Sequence, residues 1–371
     1  MDSKQFFDKV TQQLKLELPF VIYCLPNSNN YKGFFQNTDN LILTKTFEES
    51  GFVFAPYQLN KGTVIFPLES SEVMSTDDID KNETTIEVNS SFKDDQKDAY
   101  LELIDKAIKE IGNSYLSKVV LSRCIKFPRH SIDVISVFKD LAEKYPNACT
   151  YLWYHPKVSM WIGATPENFL KLEGHQFSTM SLAGTKKIED NNEVVWTDKE
   201  VEEQNIVTEY LKDQLSGILN KMSVSEVSNI KAGELMHLLT KISGKLHSAD
   251  LKKIIERLHP TPAVCGQPKT LAQTFIRENE GYDREYYTGF LGELNLVNQS
   301  MRSSSNRNIE NRAYRSIRKS TNLFVNLRCA QLKENVIQIY VGGGITKDSV
   351  AENEWQETVN KSKTIGSVIA F

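Results

Sequence analysis

The order of strand-like and helix-like segments is the feature that most limits how this chain can fold. Amphipathic segments with a 3.6-residue apolar repeat are separated by short apolar runs, and several of these runs follow one another directly. Strict alternation of helix and strand would indicate a parallel sheet, whereas consecutive strands indicate antiparallel pairing. The order therefore predicts an α+β fold.

Individual segments can be assigned from their periodicity. An amphipathic helix is predicted at the start of the chain, followed by a strand at 19–25. Further strands are predicted at 40–47, 51–56, 62–68, 118–127, 149–155, 159–164, 323–332 and 336–344. Further helices are predicted at 96–111, at 132–144, from Thr197 onward, and at 249–258, 269–278 and 349–365.

Composition and charge exclude several classes of protein. The formal charge of −4 gives no electrostatic footprint for nucleic acid or an anionic membrane. No run reaches the roughly 18–20 apolar residues of a membrane-spanning helix, and the first residues lack the pattern of a signal peptide. The five scattered cysteines contain no CxxC pair. We therefore expect a soluble cytoplasmic protein without a disulfide framework or a zinc ribbon.

Two segments differ from the rest in composition. The segment 70–95 is polar and acidic, which is typical of an exposed connection, and it separates 1–95 from 96–371. The segment 300–322 carries five arginines and one lysine against a single acid, which is typical of a mobile surface loop. An arm that contacts nucleic acid is the alternative, but one basic segment on an acidic protein is weak support for it.

Two predicted helices carry glutamate pairs at the spacing i, i+3. Glu200 and Glu203 lie near the start of one helix, and Glu354 and Glu357 lie on the last, followed one turn later by Lys361. Residues at this spacing share one helix face. Such faces are usually solvated, but four converging carboxylates would repel one another unless a cation lay between them. An oxygen-only site without Cys or His suits Mg²⁺.

Three further positions have both a structural and a functional interpretation. Lys118 begins an apolar strand, where it is either a snorkelling edge lysine or a desolvated base. Glu167 follows Thr165 and Pro166 at a predicted helix start, and it could act as a general acid only if burial raised its pKa. His259, in LHPTPAVCG, is either a structural residue or a ligand contact.

Taken together, the motifs resemble one enzyme family. KVVLSR, GATPE, LAGTKK, KEVEEQ, HPTPAVCG, REYYTG, LRCA, GGGI and EWQETVNK follow in this order, and the set resembles the chorismate-utilising enzymes. These include anthranilate, aminodeoxychorismate, salicylate and isochorismate synthases. The resemblance implies a single chorismate-binding α+β domain, like anthranilate synthase component I, with two stacked antiparallel sheets flanked by helices. It implies that 1–95 is a divergent part of that fold and that 96–371 is the chorismate-binding catalytic region.

The resemblance also implies a magnesium site for the four glutamates. Glu203 and Glu357 would bind Mg²⁺ directly, and Glu200 and Glu354 would bind it through water. Mg²⁺ would hold the ring carboxylate of chorismate, and Lys361 would lie near that end of the substrate.

Other positions are assigned to the substrate cleft by the same resemblance. Arg328 would bind the enolpyruvyl carboxylate, with Tyr287 nearby. The remaining positions are Gly184, Thr185, His259, Ala263 and Gly342. Gln204 departs from the family pattern, which usually has His after the metal-binding glutamate.

The resemblance favours the branch of the family that adds water. Lys118 would deprotonate water for attack at C2, and Glu167 would protonate the departing C4 hydroxyl group. Ala183 stands where aminodeoxychorismate synthases carry a nucleophilic lysine, and HPTPAVCG matches the isochorismate synthases better than the salicylate synthases. Salicylate synthase remains the closest alternative, and a non-catalytic binding module on the same fold is a remote one. We expect a monomer that acts on chorismate and isochorismate without a glutaminase subunit. Menaquinone biosynthesis is the favoured pathway, and biosynthesis of a catechol siderophore is the alternative.

Overall fold

The computed structural model describes residues 2–77, 95–129, 132–188, 194–232, 235–246, 250–300 and 316–369, and their strands form two sheets. The first sheet runs in the order β15 (Gly266–Gln267), β7 (Lys118–Pro128), β19 (Val336–Ile345), β18 (Cys329–Leu332), β9 (Ser159–Thr165), β8 (Cys149–His155), β1 (Phe20–Cys24), β2 (Tyr31–Gln36) and β6 (Ser71–Thr76). The second runs in the order β12 (Leu219–Val224), β14 (Leu235–Leu246), β11 (Gln176–Lys187), β10 (Asn168–Glu173), β17 (Ser316–Val325), β16 (Phe290–Ser300), β4 (Gly51–Ala55), β5 (Thr63–Pro67) and β3 (Leu43–Thr44). The strand β13 (Ser228–Ala232) pairs with β14.

Helices cover the outer faces of these sheets. They are α1 (Ser3–Lys15), α2 (Lys97–Asn113), α3 (Val134–Lys144), α4 (Asp198–Leu215), α5 (Leu251–Leu258), α6 (Lys269–Asn279) and α7 (Ala351–Gly366), with a short 3₁₀ turn at Leu59–Lys61. Apolar residues of α1 and α3 pack on the first sheet, and those of α4 and α5 pack on the second. No helix in the described ranges is both long and apolar enough to span a membrane.

The two sheets stack face to face through an aromatic layer. Phe54 of the second sheet lies 4.9 Å from Trp153 of the first, and Phe66 stacks on the same indole at 5.5 Å. Burial of these large rings supplies much of the hydrophobic free energy that holds the sheets together. The strands before residue 95 take part in both sheets, since β1, β2 and β6 lie in the first and β3, β4 and β5 in the second.

Two connections cross from one sheet to the other at the same place. The chain passes from β9 to β10 through Pro166 and Glu167, and from β17 to β18 through 326–328. The crossovers are joined because Thr165 Oγ1 donates to the Val325 carbonyl oxygen at 2.5 Å and the Val325 amide donates to the Glu167 carbonyl oxygen at 2.9 Å. Residues 166–167 and 326–328 are thereby held side by side at the junction of the sheets.

These crossovers correct two sequence predictions. Thr165 ends a strand and caps no helix, because Pro166 lacks the amide that would continue the ladder and the chain leaves one sheet for the other. The predicted strand at 323–332 is two strands, since Arg328 adopts a φ of 48° that interrupts the extended backbone. In both places the chain passes from one sheet to the other, which the periodicity of the sequence does not reveal.

The two compositionally unusual segments are partly ordered into strands. Ser71–Thr76 forms β6 at an edge of the first sheet, where most of its side chains are exposed or half-buried. Residues 316–322 belong to β17, so the prediction of a loop is wrong there. The rest of these segments, at 78–94 and 301–315, lies outside the described residues.

Candidate active site

A cavity of about 680 Å³ lies where the two crossovers meet α4 and α7. Most of the positions assigned to the site from sequence line it: Glu167, Gly184, Thr185, Glu203, Ala263, Tyr287, Arg328, Gly342, Glu357 and Lys361. Residues separated by up to almost 200 positions in the chain thus come together in one pocket.

Lys118 and Glu203 form a buried ion pair beside this cavity. Lys118 is the first residue of β7 and is 0% exposed, and its Nζ lies 2.9 Å from Glu203 Oε1. Gly344 on the neighbouring strand leaves the necessary space, because a Cβ there would lie 2.3 Å from Glu203 Oε1 and 2.9 Å from Lys118 Cε. Burial raises the pKa of Glu203, but the ammonium groups of Lys118 and Lys199 lower it further, so the carboxylate is ionised.

The glutamates of α7 are also paired with lysines. Lys199 of α4 pairs with Glu354, and Lys361 pairs with Glu357 one turn away. The Lys361 ammonium also donates to the Gly342 carbonyl oxygen at 3.0 Å. Burial and the adjacent charge of Glu357 raise the pKa of Glu354 to about 7, against the opposing effect of Lys199. The two carboxylates therefore repel each other, as the i, i+3 spacing predicts.

Glu200 has a different partner from the other three glutamates. Its Oε2 accepts the Thr197 amide at 2.8 Å and so closes a capping box at the start of α4. Lys186 Nζ lies 3.6 Å from the same oxygen. With Glu354 and Glu357, Glu200 lines a second cavity of about 1010 Å³ next to the first. Within the described ranges, no three carboxylate, imidazole or thiolate groups converge at metal-binding distance, because lysines and the helix cap hold the glutamates apart.

The chemistry of the carboxylates still fits a magnesium ion. A Cβ at Gly343 would lie 3.3 Å from Glu357 Oε1 and 3.7 Å from Glu354 Oε2, and Glu203 Oε1 reaches the neighbouring Gly344. Three oxygen donors from two helices therefore face two consecutive residues of β19. Mg²⁺ prefers such hard oxygen ligands and completes its shell with water and ligand oxygens.

Glu167 is the buried acid of the site. It is 4% exposed, and burial raises its pKa to about 8, although Lys118, Lys361 and Arg328 act in the opposite direction. The helix start that would have opposed this shift does not exist, since Glu167 lies in the crossover between β9 and β10. At neutral pH the carboxyl group is mainly protonated and can donate a proton into the cavity.

His237 is a cavity residue that sequence reasoning missed. Its Nδ1 donates to the Gly184 carbonyl oxygen at 2.9 Å, where β11 bulges and Gly184 has a φ of 69°. Its Nε2 is left as an acceptor, and Arg328 Nη2 lies 3.5 Å from it. Burial and the charges of Arg328 and Lys361 lower the pKa of His237 to about 3, so the ring is neutral. A buried histidine on an alternating strand carries no distinctive sequence signal.

The aromatic and histidine candidates differ in their position. Tyr287 lines the cavity and stacks on Tyr340 at 5.4 Å. His259 does not line it: its Nε2 lies 3.0 Å from the Tyr57 carbonyl oxygen, and its ring packs on the edges of Phe169 and Phe290. This is the environment of a structural histidine. His259 is not placed to contact a ligand in the cavity.

Gln204 occupies a buried position behind the cavity wall. Its Nε2 donates to the Ser181 carbonyl oxygen and to Thr240 Oγ1, both at 3.1 Å. These bonds tie α4 to β11 and β14, one residue after Glu203. The amide therefore holds the helix on the sheet.

Arg123 joins the strand of Lys118 to the helix of Glu354 and Glu357. Its side chain is 4% exposed, its Nε donates to Thr358 Oγ1 at 2.9 Å, and its guanidinium lies 4.0 Å from the ring centroid of Trp355. Trp355 thus packs inward on a helix that otherwise looks charged, which accounts for the apolar positions in its sequence.

We expect Arg123→Ala to lower the free energy of unfolding by about 2–4 kcal/mol, since it removes a buried hydrogen bond, a cation–π contact and packed methylene groups. Urea denaturation measures this loss. Lys126→Ala, at an exposed position of the same strand, is the control and should change stability by less than about 0.5 kcal/mol. A loss as small as that of the control would mean that Arg123 does not anchor α7.

Comparison with known proteins identifies the class of this chain. A chorismate binding enzyme family matches residues 63–303, which is more than half of the chain, and a second chorismate binding enzyme family matches 314–367. The chain belongs to the chorismate binding enzymes, and the prediction of this family is confirmed.

Individual relatives are consistent with this assignment. Isochorismate synthase MenF of Haemophilus influenzae is 26% identical over 361 residues, which cover 91% of this chain and 76% of that protein. A putative 2,3-dihydroxybenzoate-specific isochorismate synthase, DhbC, of Bacillus anthracis has a TM-score of 0.76 at 22% identity, over 95% of this chain and 96% of that one. The menaquinone-specific isochorismate synthase MenF of Escherichia coli has a TM-score of 0.76 at 19% identity, over 94% and 88%. These structures confirm the predicted α+β fold.

Proposed function

We propose that this chain is a Mg²⁺-dependent isochorismate synthase, which interconverts chorismate and isochorismate. The observation that carries the proposal is that Glu167, mainly protonated, lines the cavity, while the fully buried amine of Lys118 lies beside it, 2.9 Å from the cavity residue Glu203. Exchange of a hydroxyl group between two carbons needs one group that takes a proton and one that gives a proton. The isochorismate synthases among the relatives support the same reaction.

The two side chains would divide the proton transfers between them. Lys118 would act as the base that takes a proton from water as the water oxygen bonds to C2, the ring double bonds shift, and the C4–oxygen bond breaks. Glu167 gives its proton to the departing C4 hydroxyl group, which leaves as water. One water enters and one leaves, so the reaction is an isomerisation, and solvent restores both groups to their starting states.

The charges of the cavity suit a substrate with two carboxylates. Arg328 and Lys361 both line it and provide the cations that would bind them. Glu203 and Glu357 would hold Mg²⁺ directly, and Glu200 and Glu354 through water. Bound there, the ion would supply positive charge that neutralises the ring carboxylate. Tyr287 and the backbone of Gly184, Thr185, Ala263 and Gly342 would form the walls around the ring.

We expect Glu357→Gln to raise the Mg²⁺ concentration for half-maximal activity at least tenfold, because loss of a direct ligand should exceed the about 10–100-fold effect of outer-shell changes. Calorimetric titration of Mg²⁺ in the presence of chorismate gives an independent affinity. Glu352→Gln, on the exposed first turn of the same helix, is the matched control. Equal Mg²⁺ dependence in the two variants would remove Glu357 from the metal site.

The cellular role is part of the proposal. The alignment with H. influenzae MenF reaches across 91% of the chain, and the E. coli MenF of the same fold is described as menaquinone-specific, so we infer a role in menaquinone biosynthesis. The five cysteines are free and buried, which is in keeping with a reducing cytoplasm. We further propose that the enzyme works as a monomer without a glutaminase subunit, since water is the nucleophile.

The test is to incubate the purified protein with chorismate, with Mg²⁺ or with EDTA, and to separate the products by chromatography. We expect chorismate and isochorismate at equilibrium with Mg²⁺ and no conversion with EDTA. Formation of salicylate and pyruvate would assign the chain to the pyruvate-eliminating branch. Binding of chorismate without conversion would assign it to a non-catalytic role.

A further inference from the structure

A third cavity adjoins the candidate active site. Its volume is about 620 Å³, and Pro166 and Arg328 line both it and the active-site cavity. We call this cavity the cationic vestibule. Among the described residues that line it, the charged ones are Lys144, Lys231 and Arg328, and none is a carboxylate. Its formal charge is thus +3 on a chain whose net charge is −4.

The cavity lined by Glu200, Glu354 and Glu357 has the reverse charge. The 1010 Å³ cavity next to the active site is lined by four carboxylates and two lysines, a formal charge of −2. They are Glu200, Asp348, Glu354 and Glu357, with Lys186 and Lys199. A bound Mg²⁺ would bring that cavity to about neutral, whereas the cationic vestibule attracts an approaching dianion with or without the ion.

We propose that the cationic vestibule is the entrance through which the dianionic substrate reaches the active site, a proposal that rests on the proposed function. Lys144 at the end of α3 and Lys231 on β13 attract the carboxylates from solution and pass them to Arg328. From there the next cation is Lys361, inside the active-site cavity. A cleft lined by charges of one sign raises the local concentration of the opposite ion and speeds association, more so at low ionic strength.

The two lysines are suited to this role by their position. Both are exposed, so they keep their charge in water, and neither lines the active-site cavity. Lys144 Nζ donates to Ser367 Oγ at 2.8 Å, which holds the ammonium at the end of α7. Their contribution is long-range attraction, so it should disappear when salt screens the charges.

The experiment compares two double charge reversals, each changing the net charge by −4. Lys144→Glu with Lys231→Glu removes the vestibule lysines, and Lys241→Glu with Lys245→Glu is the control on exposed positions of β14. At low ionic strength we expect the vestibule pair to lower kcat/KM for chorismate about tenfold with kcat unchanged, whereas the control changes it less than about twofold. In about 0.5 M salt the vestibule pair should recover to within about twofold of wild type.

Several outcomes would overturn the proposal. Equal losses in the two pairs would show that only net charge matters, and a loss that persists in high salt would indicate structural damage. Lys144→Gln combined with Lys231→Gln addresses damage directly, because it removes the positive charges without introducing negative ones. On a logarithmic scale, this pair should lower kcat/KM at low ionic strength by about half as much as the charge reversal does.

The proposed function and the vestibule fail in different ways. If wild-type protein binds chorismate in calorimetry but converts none, the function is wrong, and the same variants then test the vestibule through the Kd for chorismate and its salt dependence. If wild-type protein is active and the vestibule pair matches the control, the function stands and the entrance lies elsewhere. Failure to bind chorismate at all would overturn both.

Discussion

Lys118→Ala should lower kcat by about 10²–10⁴-fold while chorismate still binds, because the proposed general base is lost and the binding residues Arg328 and Lys361 remain. The structural reason is the position of the amine, which is fully buried and 2.9 Å from Glu203 Oε1 at the edge of the cavity. Steady-state kinetics measure kcat, and calorimetry measures the affinity for chorismate separately.

Lys126→Ala is the matched control for this prediction, since Lys126 lies on the same strand but is exposed. It should retain wild-type kinetics. Loss of the ammonium also leaves Glu203 without its buried partner, which costs stability. Lys118→Gln retains a polar side chain without a basic amine, and it should lose turnover as Lys118→Ala does. Turnover near that of wild type in either variant would exclude Lys118 as the base.

Glu167→Gln should lower kcat by a similar factor of about 10²–10⁴, because the amide has the shape of the protonated acid but cannot supply its proton. Its effect on stability is predicted to depend on pH. The folded-state pKa is about 8, above the ordinary value of an unfolded glutamate. The folded state therefore binds more protons than the unfolded state between these two values, and wild-type stability falls there as the pH rises.

The glutamine variant should lack that part of the pH dependence. Urea denaturation at pH 5 and pH 8 measures it as a smaller fall in the free energy of unfolding than in wild type. In wild type, kcat/KM for chorismate should also decline above pH about 8, where the free enzyme loses the proton of Glu167. Glu173→Gln, at an exposed position of β10, is the control. Full activity of Glu167→Gln would mean that another group protonates the leaving hydroxyl.

Local sequence patterns were sufficient for most of the elements around the site. The i, i+3 glutamates lie on α4 and α7 because helix periodicity is a property of neighbouring residues. The apolar runs at β7, β8, β9 and β19 became strands within one residue of the predicted bounds. The family, and with it the stacked sheets, followed from the order of the motifs and not from their individual chemistry.

The sequence by itself thus determined the α+β class, the helices that carry the carboxylates and the choice of Lys118 and Glu167. Tertiary structure alone decided the protonation of Glu167, because its pKa depends on burial at a crossover that the sequence pattern had suggested was a helix start. It also decided that His237 faces the cavity and His259 does not, and that each glutamate has a lysine or a helix cap as its partner. Burial and charge pairing arise between residues far apart in the chain, so no local pattern contains them.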